Sequence, residues 1–412
     1  MNTLTYALII ALISGVLLQW HLSARHIRHI RSNRDMVPDN FADRISLEAH
    51  KKAADYNCAK TRVRLADLVV SSVLLLVWTL GGALDFLDGV IRPYQLSAVW
   101  TGTIFIIAVV LISSLLDLPL SLYRTFRLEQ RFGFNKMNLK LYITDLLKNA
   151  LLMVVIGTPL IMLVLWFMDN SGAWWWLYVW LTWFGTNLVM VWAYPAVIAP
   201  LFNKFRPLDN AELSTRIAAL LDRNGFTSNG IFVMDGSTRS THGNAYFTGL
   251  GANKRIVFFD TLIDELSYDE IEAVLAHELG HFKCGHIRKR LAILGVTFLI
   301  GFAILGVLLG VPWFYAGLGV SEPSAYMALT LFVLVAPAFT FFLQPLFSSM
   351  SRKHEFEADD FATAQVRSGS LINALVKLYK ENANTLTPDP LYSAFHDSHP
   401  PAPIRVAHLS AG

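Results

Sequence analysis

Between Tyr268 and His286 the chain reads YDEIEAVLAHELGHFKCGH, and within it His277, Glu278 and His281 form an HExxH motif. Ile271, Val274, Leu275 and Leu279 recur at helical spacing, so the motif is expected on a helix over 268–286. Histidines four residues apart share one helical face. Both imidazoles then reach one ion, and imidazole nitrogen suits zinc in a tetrahedral site with an open position. Glu278, beside the first histidine, faces that open position as general base and then as proton shuttle to a leaving amine. The chemistry is that of a peptide-bond hydrolase.

Such a zinc needs a third protein ligand. A further histidine at the HxxGxxH spacing is absent, because His286 comes too early, so a carboxylate from another helix is expected. Residues 351–366 read SRKHEFEADDFATAQV, and Glu355, Asp359 and Ala362 fall on one face at i, i+4 and i+7. Glu355 is the expected ligand, with Asp359 holding the second ring nitrogen of a metal-bound histidine. Glu357 points about 200° away around the helix. At 396–405 the chain reads HDSHPPAPIR, a proline-rich turn whose His399 and Arg405 are candidates to stabilise a tetrahedral oxyanion.

The elements that must position these residues are unusually apolar. Of 412 residues, 54% are hydrophobic and 16% charged, against about 25% charged in a soluble globular chain. The apolar residues come in seven blocks, near 3–22, 66–87, 98–118, 149–168, 174–197, 291–314 and 326–346, each suited to cross roughly 30 Å of hydrocarbon. The first lacks a basic lead and a small-residue cleavage site and reads as a retained anchor. Trp174, Trp175 and Trp176 open the fifth as an interfacial belt. Asp117, Asn187, Pro337 and Gln344 inside the blocks hint at a wet interior. Lys and Arg concentrate at 23–65 and at Arg124, Arg127, Arg131, Lys136 and Lys140, while Arg92 stands nearly alone in the alternate loops. That bias puts residues 198–290 and 347–412 on the cytoplasmic side.

The expected fold class is an all-α polytopic membrane protein of about seven transmembrane helices enclosing a chamber, with a small α+β cytoplasmic zinc-protease portion. Its expected divisions are 1–197 (five membrane helices and basic loops), 198–290 (the HExxH portion), 291–346 (two membrane helices) and 347–412 (the third ligand). Within 198–290, residues 210–225 read as a helix stopped by Gly225. Residues 230–236 and 253–260 read as strands, with 244–252 extended between them. Cys58 and Cys284 are expected as free thiols. Net charge of +3 gives no ground for a nucleic-acid partner.

The motifs SLYRTFRLEQRFGFNKM (121–137), YPAVIAPLFNKFRPL (194–208), STRSTHGNAYFTG (237–249), KRIVFFDTLI (254–263), VLAHELGHFKCGH (274–286), SRKHEFEAD (351–359) and DPLYSAFHDSHPP (389–401) together resemble the integral-membrane type I CAAX prenyl endopeptidases, a gluzincin family. The resemblance implies seven helices around a water-filled chamber, one Zn2+ held by His277, His281 and Glu355, and Glu278 as base. It implies Asp359 as the partner of a ligating histidine, Asn244 as a contact to substrate backbone, and His399 and Arg405 as aids to the transition state. It also implies a peptide or protein substrate, prenylated or membrane-associated. Entry is expected through a lateral gap between helices near the cytoplasmic leaflet, where a lipidated or membrane-bound substrate approaches. His242, His354, His396 and His286 are expected to be structural or solvent-facing. The short connection between the last two helices leans towards a bacterial inner membrane rather than an endoplasmic reticulum membrane, with membrane-protein quality control as the matching variant. A non-catalytic chaperone chamber is the contrasting reading, and an intact Glu278 speaks against it.

Overall fold

A computed structural model of the chain describes residues 1–226, 228, 230–248 and 255–411. The stretch 249–252, expected to be extended, and the start of the strand expected over 253–260 lie outside them. The long apolar blocks form α1 (Thr3–Ser32), α2 (Leu47–Trp78) with α3 (Ala83–Tyr94), α4 (Ala98–Phe132), α5 (Leu139–Asn170), α6 (Gly172–Phe202), and later α9 (His286–Leu308) and α10 (Ala325–Gln365). Six of these are long and apolar enough to span alone, and α2 with α3 makes a seventh, bent by 52°. The second block was expected as one helix. Instead it breaks at 79–82, where the Thr79 hydroxyl donates to the Leu75 carbonyl and satisfies a helix-end acceptor.

Several helices outrun their apolar blocks. At 1.5 Å per residue, the 30 residues of α1 extend about 45 Å, so its basic end projects beyond a hydrocarbon layer. α10 continues through Pro337 and a 3-10 turn at Phe341–Leu343 into the residues around Glu355. In the most apolar stretch of the six unbroken spans only 11% to 33% of residues are buried within the chain. The membrane core is local, built around Phe105, Leu165, Val179, Leu305 and Leu331. Trp175 is buried in it, unlike its exposed neighbour Trp174, so the tryptophan triplet is only partly an interfacial belt.

Most of the remaining residues build a compact α+β unit. Its strands are β1 (Phe205–Pro207), β2 (Ile231–Met234), β3 (Ala245–Thr248) and β4 (Arg255–Phe259), in the order β1-β2-β4-β3. β2 and β4 run parallel, and the outer pairings are antiparallel. α8 (Tyr268–Lys283) packs against the sheet, α7 (Ala211–Arg223) and α11 (Ser368–Glu381) pack against α8, and α13 (Ala402–Ala411) packs against α11 and α10, with α12 (Pro390–His396) completing the C-terminal segment. Leu213, Ile217, Phe258, Ile271, Leu275, Leu279 and Leu371 form one core. Both cysteines are free.

Candidate active site

α8 starts at a capping box. The Ser267 amide donates to Glu270 Oε2 at 2.7 Å and the Glu270 amide donates back to the Ser267 hydroxyl. Lys377 on α11 donates to the same carboxylate at 2.7 Å, which fixes the helix against its neighbour. The helix was expected through His286. It ends at Lys283 instead, because Gly285 turns the chain at φ 69°, a left-handed conformation favourable to glycine. His286 therefore opens α9, a membrane span, five residues after His281.

α10 crosses α8 at close range. A Cβ on Gly280 would lie 2.9 Å from the Ala358 Cα and 3.0 Å from its carbonyl oxygen. The absent side chain lets the two backbones approach, and so brings Glu355 to the histidines. His277 Nε2 and His281 Nε2 are 3.3 Å apart, and they lie 3.5 and 3.4 Å from Glu355 oxygens. Zinc bonds of 2.0–2.2 Å at tetrahedral angles put ligand atoms roughly 3.3 Å apart. Among the described residues, Glu355 Oε2 is buried without a hydrogen bond. A buried carboxylate oxygen left so is costly, and a cation between the three groups removes that cost. The donor set therefore fits zinc.

His277 Nδ1 lies 2.9 Å from Asp359 Oδ1, which leaves Nε2 for the metal. Glu278 is half-buried, and burial raises its pKa above the usual carboxylate range against the pull of His277 and His281. His399 sits on the outer side, its Nε2 3.3 Å from Glu355 Oε1 and its side chain 65% exposed. Arg405 differs from expectation. It lies on α13 rather than in a turn, and it is buried behind the ligands. Its Nε donates to Asp359 Oδ2 at 2.8 Å and its Nη1 is 3.5 Å from Glu355 Oε2. A buried guanidinium engaged with two carboxylates holds them in place.

Asn244 is exposed at the head of β3, an edge strand packed near α8. Its side-chain oxygen accepts from the Ala245 amide and its carbonyl from the Phe259 amide. Of the histidines expected to be bystanders, His242 is stacked on Phe134 and bonded to Asn382, and His354 stacks on His286. His286 itself contacts His281 and Glu357 at 2.9 Å each. Only its i+5 offset from His281 marked it in the sequence, and that offset is informative only once the Gly285 turn is known.

Residues 26–204 match the model of the CAAX prenyl protease N-terminal region with five membrane helices, and residues 207–412 match peptidase family M48. The chain is 36% identical to CAAX prenyl protease 1 homolog of Dictyostelium discoideum, over 89% of this chain and 88% of that one. It is 35% identical to CAAX prenyl protease 1 of Saccharomyces cerevisiae, covering 90% and 88% respectively. With the human CAAX prenyl protease 1 homolog the identity is 30%, over 94% of this chain and 91% of the other. The crystal structure of S. mikatae Ste24p is similar at a TM-score of 0.92 and 31% identity, covering 99% of both chains.

Proposed function

This chain belongs to peptidase family M48, in its multi-pass membrane branch, and from that premise we propose that it cuts prenylated CaaX-type peptides near their C-terminus. It is a membrane zinc metalloendopeptidase. The observation that carries the proposal is the convergence of His277, His281 and Glu355 on one point beside Glu278, inside a fold shared over nearly the whole chain with Ste24p.

In this reading one zinc per chain, when bound, supplies Lewis acidity towards water and the scissile carbonyl. Glu278 takes the proton of the attacking water on its carboxylate and passes it to the leaving amine as the C–N bond breaks. Its raised pKa suits both transfers. His399, outward-facing beside Glu355, donates to the carbonyl oxygen as charge develops there. Asn244 and the outer edge of β3 take the peptide backbone as an added strand. Asp359 and Arg405 hold His277 and Glu355.

The sparse burial of the spans supports a chamber between them, reached laterally by lipidated substrates. The Lys and Arg bias supports a cytoplasm-facing site. The short connection between α9 and α10 supports a bacterial inner membrane, where unprenylated membrane proteins are the alternative substrate.

The test is cleavage of a farnesylated CaaX peptide and its unprenylated twin by detergent-purified protein, beside Glu278→Gln, with zinc measured in both. Cleavage of the farnesylated peptide by the parent alone, with zinc in both, is expected. A zinc-loaded parent that ignores that peptide but cuts unprenylated membrane peptides overturns the prenyl assignment.

A further inference from the structure

His277 and His281 present Nε2 to Glu355 and to each other, so each Nδ1 carries the ring proton and needs an acceptor. For His277 that acceptor is Asp359. For His281 it is another imidazole, since His281 Nδ1 lies 2.9 Å from His286 Nδ1. That nitrogen of His286 must therefore be the unprotonated one, and its proton sits on Nε2, 2.9 Å from Glu357 Oε2. The His286 ring is buried and stacked on His354 with centroids 4.1 Å apart. Lys289, one turn along α9, lies 3.6 Å from the same Glu357 oxygen. Every donor in this series has an acceptor, and the direction runs outward from the metal position.

We propose that His286 and Glu357 are positioning residues for the metal site, forming a relay that fixes the ring of His281 as Asp359 fixes that of His277. The relay explains why a motif helix that ends at Lys283 is followed at once by a buried histidine. The left-handed turn at Gly285 swings His286 back under His281. It also gives Glu357 a function on the α10 face turned away from Glu355. Carboxylate partners of ligating histidines commonly hold metal affinity up by 10- to 100-fold, and here the carboxylate acts through one intervening ring. Cys284 Sγ lies with His286 and Glu357 in a group whose donor atoms are within 4.8 Å. Both ring nitrogens of His286 are already engaged and Lys289 partly neutralises Glu357, so a second cation is disfavoured there.

The inference rests on the metal site proposed above, and the test separates the two. Zinc affinity is measured by chelator competition on the full detergent-solubilised chain, with the visible spectrum of the cobalt-substituted protein as a second readout. An asparagine amide oxygen falls near the place of imidazole Nδ1, whereas a glutamine amide falls near Nε2. His286→Ala and His286→Gln are expected to lose about 10- to 100-fold in zinc affinity and to shift the cobalt spectrum. His286→Asn recovers most of both, and Glu357→Ala shows a smaller loss. Parental affinity and spectrum in His286→Ala overturn the relay alone, provided His277→Ala loses zinc; equal loss in the Asn, Gln and Ala variants overturns it too. Two zinc ions per chain, one of them lost in Cys284→Ser, overturn it in favour of a second metal site. Zinc binding indifferent to His277→Ala would sink the metal site itself.

Discussion

His399 and Arg405 stand three and nine residues past the end of α12, and the sequence groups them as one pair of oxyanion helpers. Their surroundings divide them. Arg405 is 6% exposed, and its charge is shared between Asp359 and Glu355. Removing one member of a buried, hydrogen-bonded charge pair leaves the other uncompensated, at a cost of about 3–5 kcal/mol. Arg405→Ala is therefore expected to lower the melting temperature and the zinc occupancy after dialysis, with lost turnover as a consequence. His399 is mostly exposed, and the buried Glu355 beside it also faces Arg405, His277 and His281, so loss of His399 does not strip that carboxylate of its counter-charges. His399→Ala should keep zinc and melting temperature and lose turnover by about 10²- to 10³-fold, the usual effect of one oxyanion donor. If zinc content follows His399 as closely as Arg405, the division of roles is wrong.

At the scale of elements, the site depends on how near α8 comes to α10. An added methyl at Gly280 meets backbone atoms of Ala358, which cannot rotate aside as a side chain can. Gly280→Ala must therefore separate the helices, and overpacking of this kind costs about 1–3 kcal/mol. Because two ligands ride on α8 and one on α10, the same displacement opens the ligand triangle. The variant is expected to melt earlier and to bind zinc more weakly in chelator competition, and parental values of both would refute the argument. The glycine is visible in HELGH, but the reason for it is not, since Ala358 lies 78 positions away. The same distinction runs through the rest of the sequence. The apolar blocks were legible because a membrane imposes their length. His277, His281, Glu355 and Asp359 could be picked out because helical periodicity puts them on two faces. Helix ends were less legible, since a helix continues beyond hydrocarbon wherever nothing breaks it, as in α1. The break between α2 and α3 was hidden because both halves are apolar. β1 has three residues and ends in Pro207, which cannot donate to a ladder. The burial of Arg405 and the contacts of His286 arise only from packing between distant segments.

For the whole molecule, the metal site closes a circuit through the chain. α8 leads directly into the span α9, and Glu355 rides on the extension of α10. The segment carrying His399 and Arg405 is clasped to the first two spans through α12. Arg25 donates to Asp389 at 2.8 Å, His26 stacks on Tyr392 at 3.9 Å, and Arg64 donates to the Tyr392 hydroxyl. Metal removal should accordingly be felt globally. A ligand at 100 times its Kd stabilises the state that binds it by about 2.7 kcal/mol, so chelation is expected to lower the melting temperature of the full chain. The clasp also carries a pH dependence. His396 packs on Tyr392 and Phe395, its Nδ1 faces the Gln344 amide at 3.4 Å, and its Nε2 is buried with no hydrogen-bond partner among the described residues. A second proton on this ring would have no acceptor and would face the Arg64 charge, with His26 beyond Tyr392. Burial first, and Arg64 after it, lower its pKa from the ordinary 6.5 to about 4. Between those two pH values the unfolded chain binds a proton at this position and the folded chain does not. Stability therefore rises with pH across the window and is lost as pH falls through it. Asp397 nearby is shifted upward by burial and works in the opposite sense, so the parent's profile alone does not isolate the histidine. The difference between parent and His396→Gln does, because the glutamine keeps a polar side chain and removes the titration. From pH 7 to pH 4.5 the parent should lose more melting temperature than His396→Gln. Parallel profiles would mean that His396 takes up its proton in the folded clasp without penalty.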